Sequence, residues 1–167
     1  MSRSRPQVIR RLAFLWWVPL LLLGAGSASL ELVGEDGAPL ELSLEAGDSA
    51  VIAHFWATWC KSCTEELPAL AKAAAACADD GVRVVTVNVG EDLDTIASYR
   101  AEHAFGLPIL RDPKGKVWRS FARGLPVNVF LTAAGQRTDF GPRTEAAWRR
   151  ELASLGCGDE APKERLP

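Results

Sequence analysis

The sequence predicts one α/β domain, a small sheet covered by helices on both faces, and three observations carry that prediction. AVIAHFW and VRVVTVNV are apolar almost without a break, as strands buried on both faces are. An alanine-rich stretch at residues 69–78 separates them and favours a helix. After the second apolar run comes a further helical pattern and then a hairpin and a last helix, the β-α-β-α order of a layered sheet. The 167 residues, 48% of them hydrophobic, suit one domain with a real core.

Taken in order, LELVGEDGAPLEL reads as two short strands around a glycine-containing turn, an N-terminal β-hairpin. AVIAHFW is the first buried strand, followed by a helix that starts near Cys60 and stops at ADDG. VRVVTVNV is the second buried strand, and DLDTIASYRAEHAFG a helix ended by Gly106. RDPKGKV reads as a turn, and VNVFLTAAGQRTDF as a hairpin around Ala134 and Gly135. Thr144 caps a last helix running to Leu155. Pro68 lies inside the first helix, where the missing N–H predicts a kink.

Three segments follow from this pass: residues 1–29 as a leader, 30–157 as the folded domain, and 158–167 as a polar, flexible tail. The leader has a basic start, the apolar run LAFLWWVPLLLL and the small residues GAGSAS, which together predict export. Its small residues fit a cleaved signal peptide, and its 18 uncharged residues from 12 to 29 fit an uncleaved membrane anchor. Either way the body is expected outside the cytoplasm, periplasmic or extracytoplasmic, soluble or tethered to the inner membrane. Of the 19 basic residues four arginines precede any acid, so the body carries 15 against 21 acidic groups. That negative balance excludes a nucleic-acid platform.

The chemistry is concentrated in WATWCKSC. Two cysteines three apart can be a dithiol that opens and closes, half of a zinc site, or packing. HFWATWCKSCTEELP resembles the active-site strand and helix of thioredoxin-fold oxidoreductases, and GLPVNVFLTAAG is similar to their cis-proline strand and hairpin. The intervening VVTVNVGEDLDTIASYRAEHAFGLPILRDPKGKV resembles the central αβ insertion of the ResA and TlpA type. The resemblance covers residues 38–155, and three separated motifs stand in the family's order. It implies a thioredoxin-like fold, with a central mixed sheet, helices on both faces and an N-terminal β-hairpin.

Helix geometry gives each cysteine a role. A helix beginning at Cys60 points its free N–H groups and positive dipole end at that sulfur and favours the thiolate, so Cys60 is the expected nucleophile. Cys63, one turn inside, is shielded but placed to resolve the mixed disulfide. Trp59 and Trp56 are expected to keep water and stray thiols off the site, Trp59 at the surface beside the sulfur as part of the substrate-binding face, while Trp56 reads equally as a plain core aromatic. The resemblance makes the bond before Pro126 cis and sets Pro126 opposite the cysteines. It leaves the backbone of Leu125 to pair with an extended substrate chain.

Two further groups are expected in proton transfer. Glu91, in VNVGED, falls where the ResA type carries a glutamate beneath the cysteine pair, and there it can take the Cys63 proton; its other reading is a solvated helix-cap acid. His54 stands where thioredoxin has a buried aspartate, and it reads either as Glu91's partner or as a hydrogen-bonded core histidine. His103 is expected in solvent. Lys61 and Ser62 depart from the family, which often has proline before the second cysteine; a cation beside Cys60 favours the thiolate.

The resemblance thus implies an exported thiol–disulfide oxidoreductase, a reductase of protein disulfides in cytochrome c maturation or related assembly. It needs no cofactor and no metal, and it takes electrons from a membrane-embedded thiol–disulfide donor. A metal-binding or copper-delivery module using the same pair is the alternative. A zinc site from all four cysteines is weaker, because Cys77 and Cys157 form no short-spaced pair. In the fold the resemblance implies, the helices carrying Cys77 and Cys157 end side by side, so a structural Cys77–Cys157 disulfide is expected.

Overall fold

The computed structural model describes residues 28–77 and 79–158, so nearly all of the leader, and the tail from residue 159, lie outside the described residues. Seven strands form one sheet in the order β2-β1-β5-β4-β3-β6-β7. In chain order the elements are β1 (Leu30–Val33), β2 (Pro39–Leu42), β3 (Ala50–Trp56), α1 (Lys61–Ala75), β4 (Val82–Val89) and α2 (Leu93–Glu102). They continue with β5 (Ile109–Asp112), α3 (Lys116–Phe121), β6 (Val127–Thr132), β7 (Gly135–Phe140) and α4 (Glu145–Ser154).

The apolar runs AVIAHFW and VRVVTVNV form the centre of the sheet. They pair in parallel from Ala50↔Val82 to Trp56↔Asn88, and every residue of β3 is buried. Alternation divides β3 between two cores. Ala50, Ile52 and Trp56 meet Leu67 and Leu70 of α1, Ile96 of α2 and Trp148 and Leu152 of α4. Val51, Ala53 and Phe55 meet Leu30, Leu32 and Leu42 of the N-terminal hairpin and Phe121 of α3. β6 runs antiparallel to β3 on its other side, with Phe55 opposite Val127, and β7 closes that edge.

One segment departs from the sequence reading. The DPKG of RDPKGKV does turn, but residues on either side are ordered into elements that periodicity did not expose. Ile109–Asp112 joins β4 as a parallel strand, and Lys116–Phe121 is a short helix. Asp112 makes both: its carboxylate accepts the backbone N–H groups of Lys116 at 2.9 Å and Trp118 at 2.8 Å, capping α3 from the end of β5. Four-residue strands and six-residue helices are too short to show a period.

The far end of α1 is bound into the base of the domain. Cys77 is joined to Cys157, past the end of α4, by a disulfide. Around it Ser49 donates its hydroxyl to the Gly81 and Leu155 carbonyls, at 3.1 and 2.9 Å. Gly81 has a φ of +75°, and a Cβ there would lie 2.6 Å from the Gly47 carbonyl oxygen, so no other residue fits. Among the described residues no helix is long and apolar enough to cross a membrane.

Candidate active site

The site forms where β3 ends and α1 begins. Cys60 is the N-cap of α1, with extended backbone (φ −87°, ψ 94°), and its Sγ accepts the backbone N–H of Cys63 at 3.3 Å. The sulfur therefore occupies the place a serine or aspartate oxygen takes at an ordinary helix start, and receives both the N–H and the dipole. Cys60 and Cys63 are joined in a disulfide with Cα atoms 5.3 Å apart. Ser62 Oγ lies 3.6 Å from Cys60 Sγ. Cys63 is fully buried, while Cys60 retains 7% exposure.

The two tryptophans separate as the sequence suggests. Trp56 is fully buried and packs on Tyr99 and Phe105, with ring centroids 5.1 and 5.6 Å away. Trp59 is 67% exposed, on the loop just before Cys60. The Leu125–Pro126 peptide bond is cis, and the β3–β6 register sets it at the end of β3 from which the Trp56–Cys60 loop departs. Pro126 is buried and its carbonyl accepts Gly141 N–H at 3.1 Å. Among the described residues no backbone group pairs with Leu125.

Glu91 follows β4 and reaches back to the active-site loop. Its carboxylate accepts the Thr58 N–H at 2.9 Å, the Thr58 hydroxyl at 2.5 Å and the Asn88 amide N–H at 2.6 Å. It is partly buried and not the helix cap; Asp92 fills that place, accepting Thr95 N–H at 2.8 Å. Thr58, two residues before Cys60, is a partner of Glu91 that the sequence reading missed.

His54 lies on the α1-facing side of β3 between Ile52 and Trp56, wholly buried. Its Nδ1 is 2.8 Å from Asn128 Oδ1, on the residue paired with it across the β3–β6 ladder. Because the partner is a carbonyl oxygen, Nδ1 carries the hydrogen and Nε2 presents a lone pair with no partner. Burial, with Arg143 adding to it against the Asn128 bond, brings the imidazole from 6.5 down to about 4, so the ring is neutral. His103 is exposed at the end of α2.

Glu66 is the second missed group. It sits one turn beyond Cys63 on α1, 3% exposed, with Oε1 accepting the indole N–H of Trp148 at 2.7 Å. Burial lifts its carboxyl from 4.5 to about 7. The readable signal was its spacing: Cys63, Glu66, Leu67 and Leu70 share the buried stripe of α1, so an acid stands where the pattern calls for an apolar residue. Lys61, by contrast, is 86% exposed and pairs at 3.6 Å with Glu65. Among the described residues no group of three or more His, Cys, Asp or Glu is placed to hold a metal ion.

Comparison with known proteins agrees with this geometry. The AhpC/TSA family model matches residues 24–136. The thiol-disulfide oxidoreductase ResA of Bacillus subtilis is 27% identical over 114 residues, which cover 68% of this chain and 63% of ResA. The soluble secreted antigen MPT53 of Mycobacterium tuberculosis is 30% identical over 118 residues, 70% of this chain and 66% of that protein. The chain thus spans a little under two thirds of these relatives' length. A thiol:disulfide interchange protein of Chlorobium tepidum superposes with a TM-score of 0.64 at 26% identity, covering 78% of this chain and 95% of that one. The family match runs through the hairpin, the cysteine helix and the cis-proline strand alike, and the chain belongs to the AhpC/TSA family, with a thioredoxin fold.

Proposed function

We propose that the protein is an exported thiol–disulfide oxidoreductase that reduces protein disulfides. The observation that carries the reading is the Cys60 sulfur standing as the N-cap of α1, with a fully buried Cys63 one turn behind it. The Cys60 thiolate attacks one sulfur of a substrate disulfide and releases the other. Cys63 then attacks Cys60 Sγ, the bond to the substrate breaks, and two electrons have passed from the dithiol to the substrate. Trp59 and the Leu125–Pro126 backbone form the face on which the substrate chain lies. Glu91, fixed at the foot of the loop, accepts the Cys63 proton, and His54 serves the same transfer from the interior.

The leader, as signal peptide or anchor, carries the domain across the membrane, where a membrane-embedded dithiol donor recharges it. Cytochrome c maturation is the assembly task this reading favours, supported by the likeness to ResA. The test is a pair of variants: Cys60→Ser abolishes disulfide reduction, and Cys63→Ser accumulates a mixed disulfide with the substrate. Full turnover by Cys60→Ser sinks the reading, and one tightly held zinc or copper ion per reduced chain turns it to metal binding. The reduction potential fixes the direction, with ~−270 mV marking a reductant and ~−120 mV an oxidant.

A further inference from the structure

The segment that leads into the cis-proline strand carries the charge opposite to the rest of the domain. Residues 113–124, PKGKVWRSFARG, hold four cations, Lys114, Lys116, Arg119 and Arg123, and no carboxylate; the rest of the chain from residue 30 onward has 11 basic against 21 acidic groups. All four residues are exposed. Among the described residues seven other cations are paired with carboxylates, and none of these four is. The two arginines are nonetheless held in place. Arg119 donates to the Lys114 carbonyl at 2.5 Å, and Arg123 to the Arg119 and Ala122 carbonyls at 2.5 and 3.0 Å. Backbone carbonyls fix a guanidinium without neutralising it, and its other N–H groups stay free for an acid.

Sheet topology sets this ridge at the cysteine end of the domain. β3, β4 and β5 are parallel, so Asp112, which ends β5, stands on the same edge as Trp56, which ends β3. The Lys114 turn leaves from that edge. β6 runs the other way and begins there, with Val127 opposite Phe55. Residues 113–126 therefore start and finish beside the active site. Trp118 ties the segment down, its indole N–H donating to the Gly124 carbonyl at 3.0 Å, and Phe121 packs on Phe55 with ring centroids 6.2 Å apart. Leu125 packs against the core cluster that holds Cys60 and Cys63. Arg123 is two residues before it, so their Cα atoms lie within about 8 Å.

We infer that this ridge docks an acidic segment of the substrate protein, so that the disulfides best reduced are those with carboxylates beside the cysteine; the inference rests on the reductase reading. A chain lying along Leu125 and Pro126 continues onto the ridge, where its acids meet cations already positioned and unpaired. On the opposite face of the sheet the sign reverses. Glu65 of α1 and Asp92 and Asp94 at the start of α2 are acidic, and Lys61 is paired to Glu65. An acidic chain is drawn to the α3 side and turned away from the α2 side, which orients it across the disulfide. Anionic lipid would meet the same cations, but the ridge is continuous with the backbone on which the substrate lies, and that favours a peptide.

The test uses the reduced full chain and synthetic peptides with one cysteine flanked by glutamates or by lysines, the charges placed before it in one pair and after it in the other. Each cysteine is activated as a mixed disulfide with uncharged 2-thiopyridine. Attack by Cys60 forms the Cys60–peptide disulfide and releases pyridine-2-thione, whose absorbance gives the rate, taken relative to that of uncharged dithiothreitol. In one placement the glutamate peptide is expected to react about tenfold faster than its lysine counterpart at ~20 mM salt, an advantage that fades at ~1 M, where the screening length is about 3 Å. The net negative charge of the domain alone predicts the reverse order. A lysine peptide that reacts as fast or faster in both placements overturns the inference and leaves the Cys60 and Cys63 roles intact. Failure to reduce uncharged hydroxyethyl disulfide overturns the reductase reading itself.

A charge reversal locates the effect. Lys114→Glu/Lys116→Glu changes two exposed side chains and should abolish the glutamate advantage. An advantage that survives the reversal sinks the inference, since the acid is then read elsewhere. Vesicles of phosphatidylglycerol that bind the unmodified chain and not this variant, with no preference between the peptides, would give the ridge to a membrane surface instead.

Discussion

The two ends of α1 each carry a disulfide, and they are built on opposite plans. At the N-terminal end Cys60 and Cys63 are three apart, and the cap hydrogen bond goes to sulfur itself. At the other end Cys77 joins Cys157 across a sequence separation of 80. There the backbone is tied on every side, by Ser49 to Gly81 and Leu155 and by Gly158 N–H to Asp80 at 2.8 Å. The helix supplies N–H groups and positive potential to one pair and carbonyls and negative potential to the other. A thiolate is therefore favoured at Cys60 and disfavoured at Cys77, which is 1% exposed with Sγ against the Ala73 carbonyl. One helix sorts four cysteines into an exchanging pair and a fixed one.

Removing each pair should separate the two jobs. Cys60→Ala is expected to end disulfide reduction with little change in stability. Cys77→Ala/Cys157→Ala should keep reduction and lose about 4.5 kcal/mol, the chain-entropy value for a loop of this length. Urea unfolding alongside a disulfide-reduction assay below the melting range reads both. The contrast between the two ends breaks if the double variant, still folded, reduces substrate at less than half the normal rate.

The next effect is electrostatic and belongs to the N-terminal end alone. His54 is held neutral, from 6.5 down to about 4, so the unfolded chain binds its proton first, and this contribution is lost as pH falls from 6.5 toward 4. Glu66 works oppositely: the fold keeps its proton up to about 7 while the unfolded chain releases it at 4.5, so stability falls as pH rises through that window. Each spans about 3 kcal/mol at ~1.4 per pKa unit, and where they overlap they cancel. Stability from these two groups should be nearly flat between pH 4.5 and 6.5. In Glu66→Gln it should climb with pH over that range, and in His54→Asn it should fall. Parallel curves for all three proteins would remove the buried charge balance from beneath the redox pair.

Glu91→Gln should slow the resolving step about a hundredfold and move its pH–rate profile to higher pH. The carboxylate serves three donors, and an amide presents one oxygen and one NH₂ to them, so Thr58 loses an acceptor and the loop before Cys60 loosens. An unchanged profile returns Glu91 to a purely structural part in the loop.

Much of this contrast was legible in the residues themselves. The central strands show because both their faces are apolar, α1 because alanine propensity and the CxxC spacing agree, and the cap at Thr144 because its hydroxyl has Ala147 N–H to accept, at 3.3 Å. β5 and α3 did not show, since a four-residue strand takes its identity from β4 and a short helix from Asp112. Thr58 and Asn128 were hidden for another reason: their roles exist only across 33 and 74 residues of sequence, to Glu91 and His54. Glu66 was visible as an acid in an apolar stripe, and only Trp148, 82 residues away, explains how it is held there.

The smallest expected effect tests whether the helix or a neighbouring charge activates Cys60. Lys61 is the first residue of α1 and adjoins the sulfur in sequence, so charge alone would make it the chief stabiliser of the thiolate. Its ammonium is 86% exposed and already paired with Glu65, and water and salt screen such a charge strongly. The cap bond from Cys63 N–H, in contrast, acts at 3.3 Å within a nearly buried site. Lys61→Gln should therefore change the rate of Cys60 alkylation by iodoacetamide less than about twofold at physiological salt. Charge-driven activation would instead give a large loss that deepens as salt is lowered, and the N-terminal end of α1 would then owe its reactivity to a side chain and not to the helix.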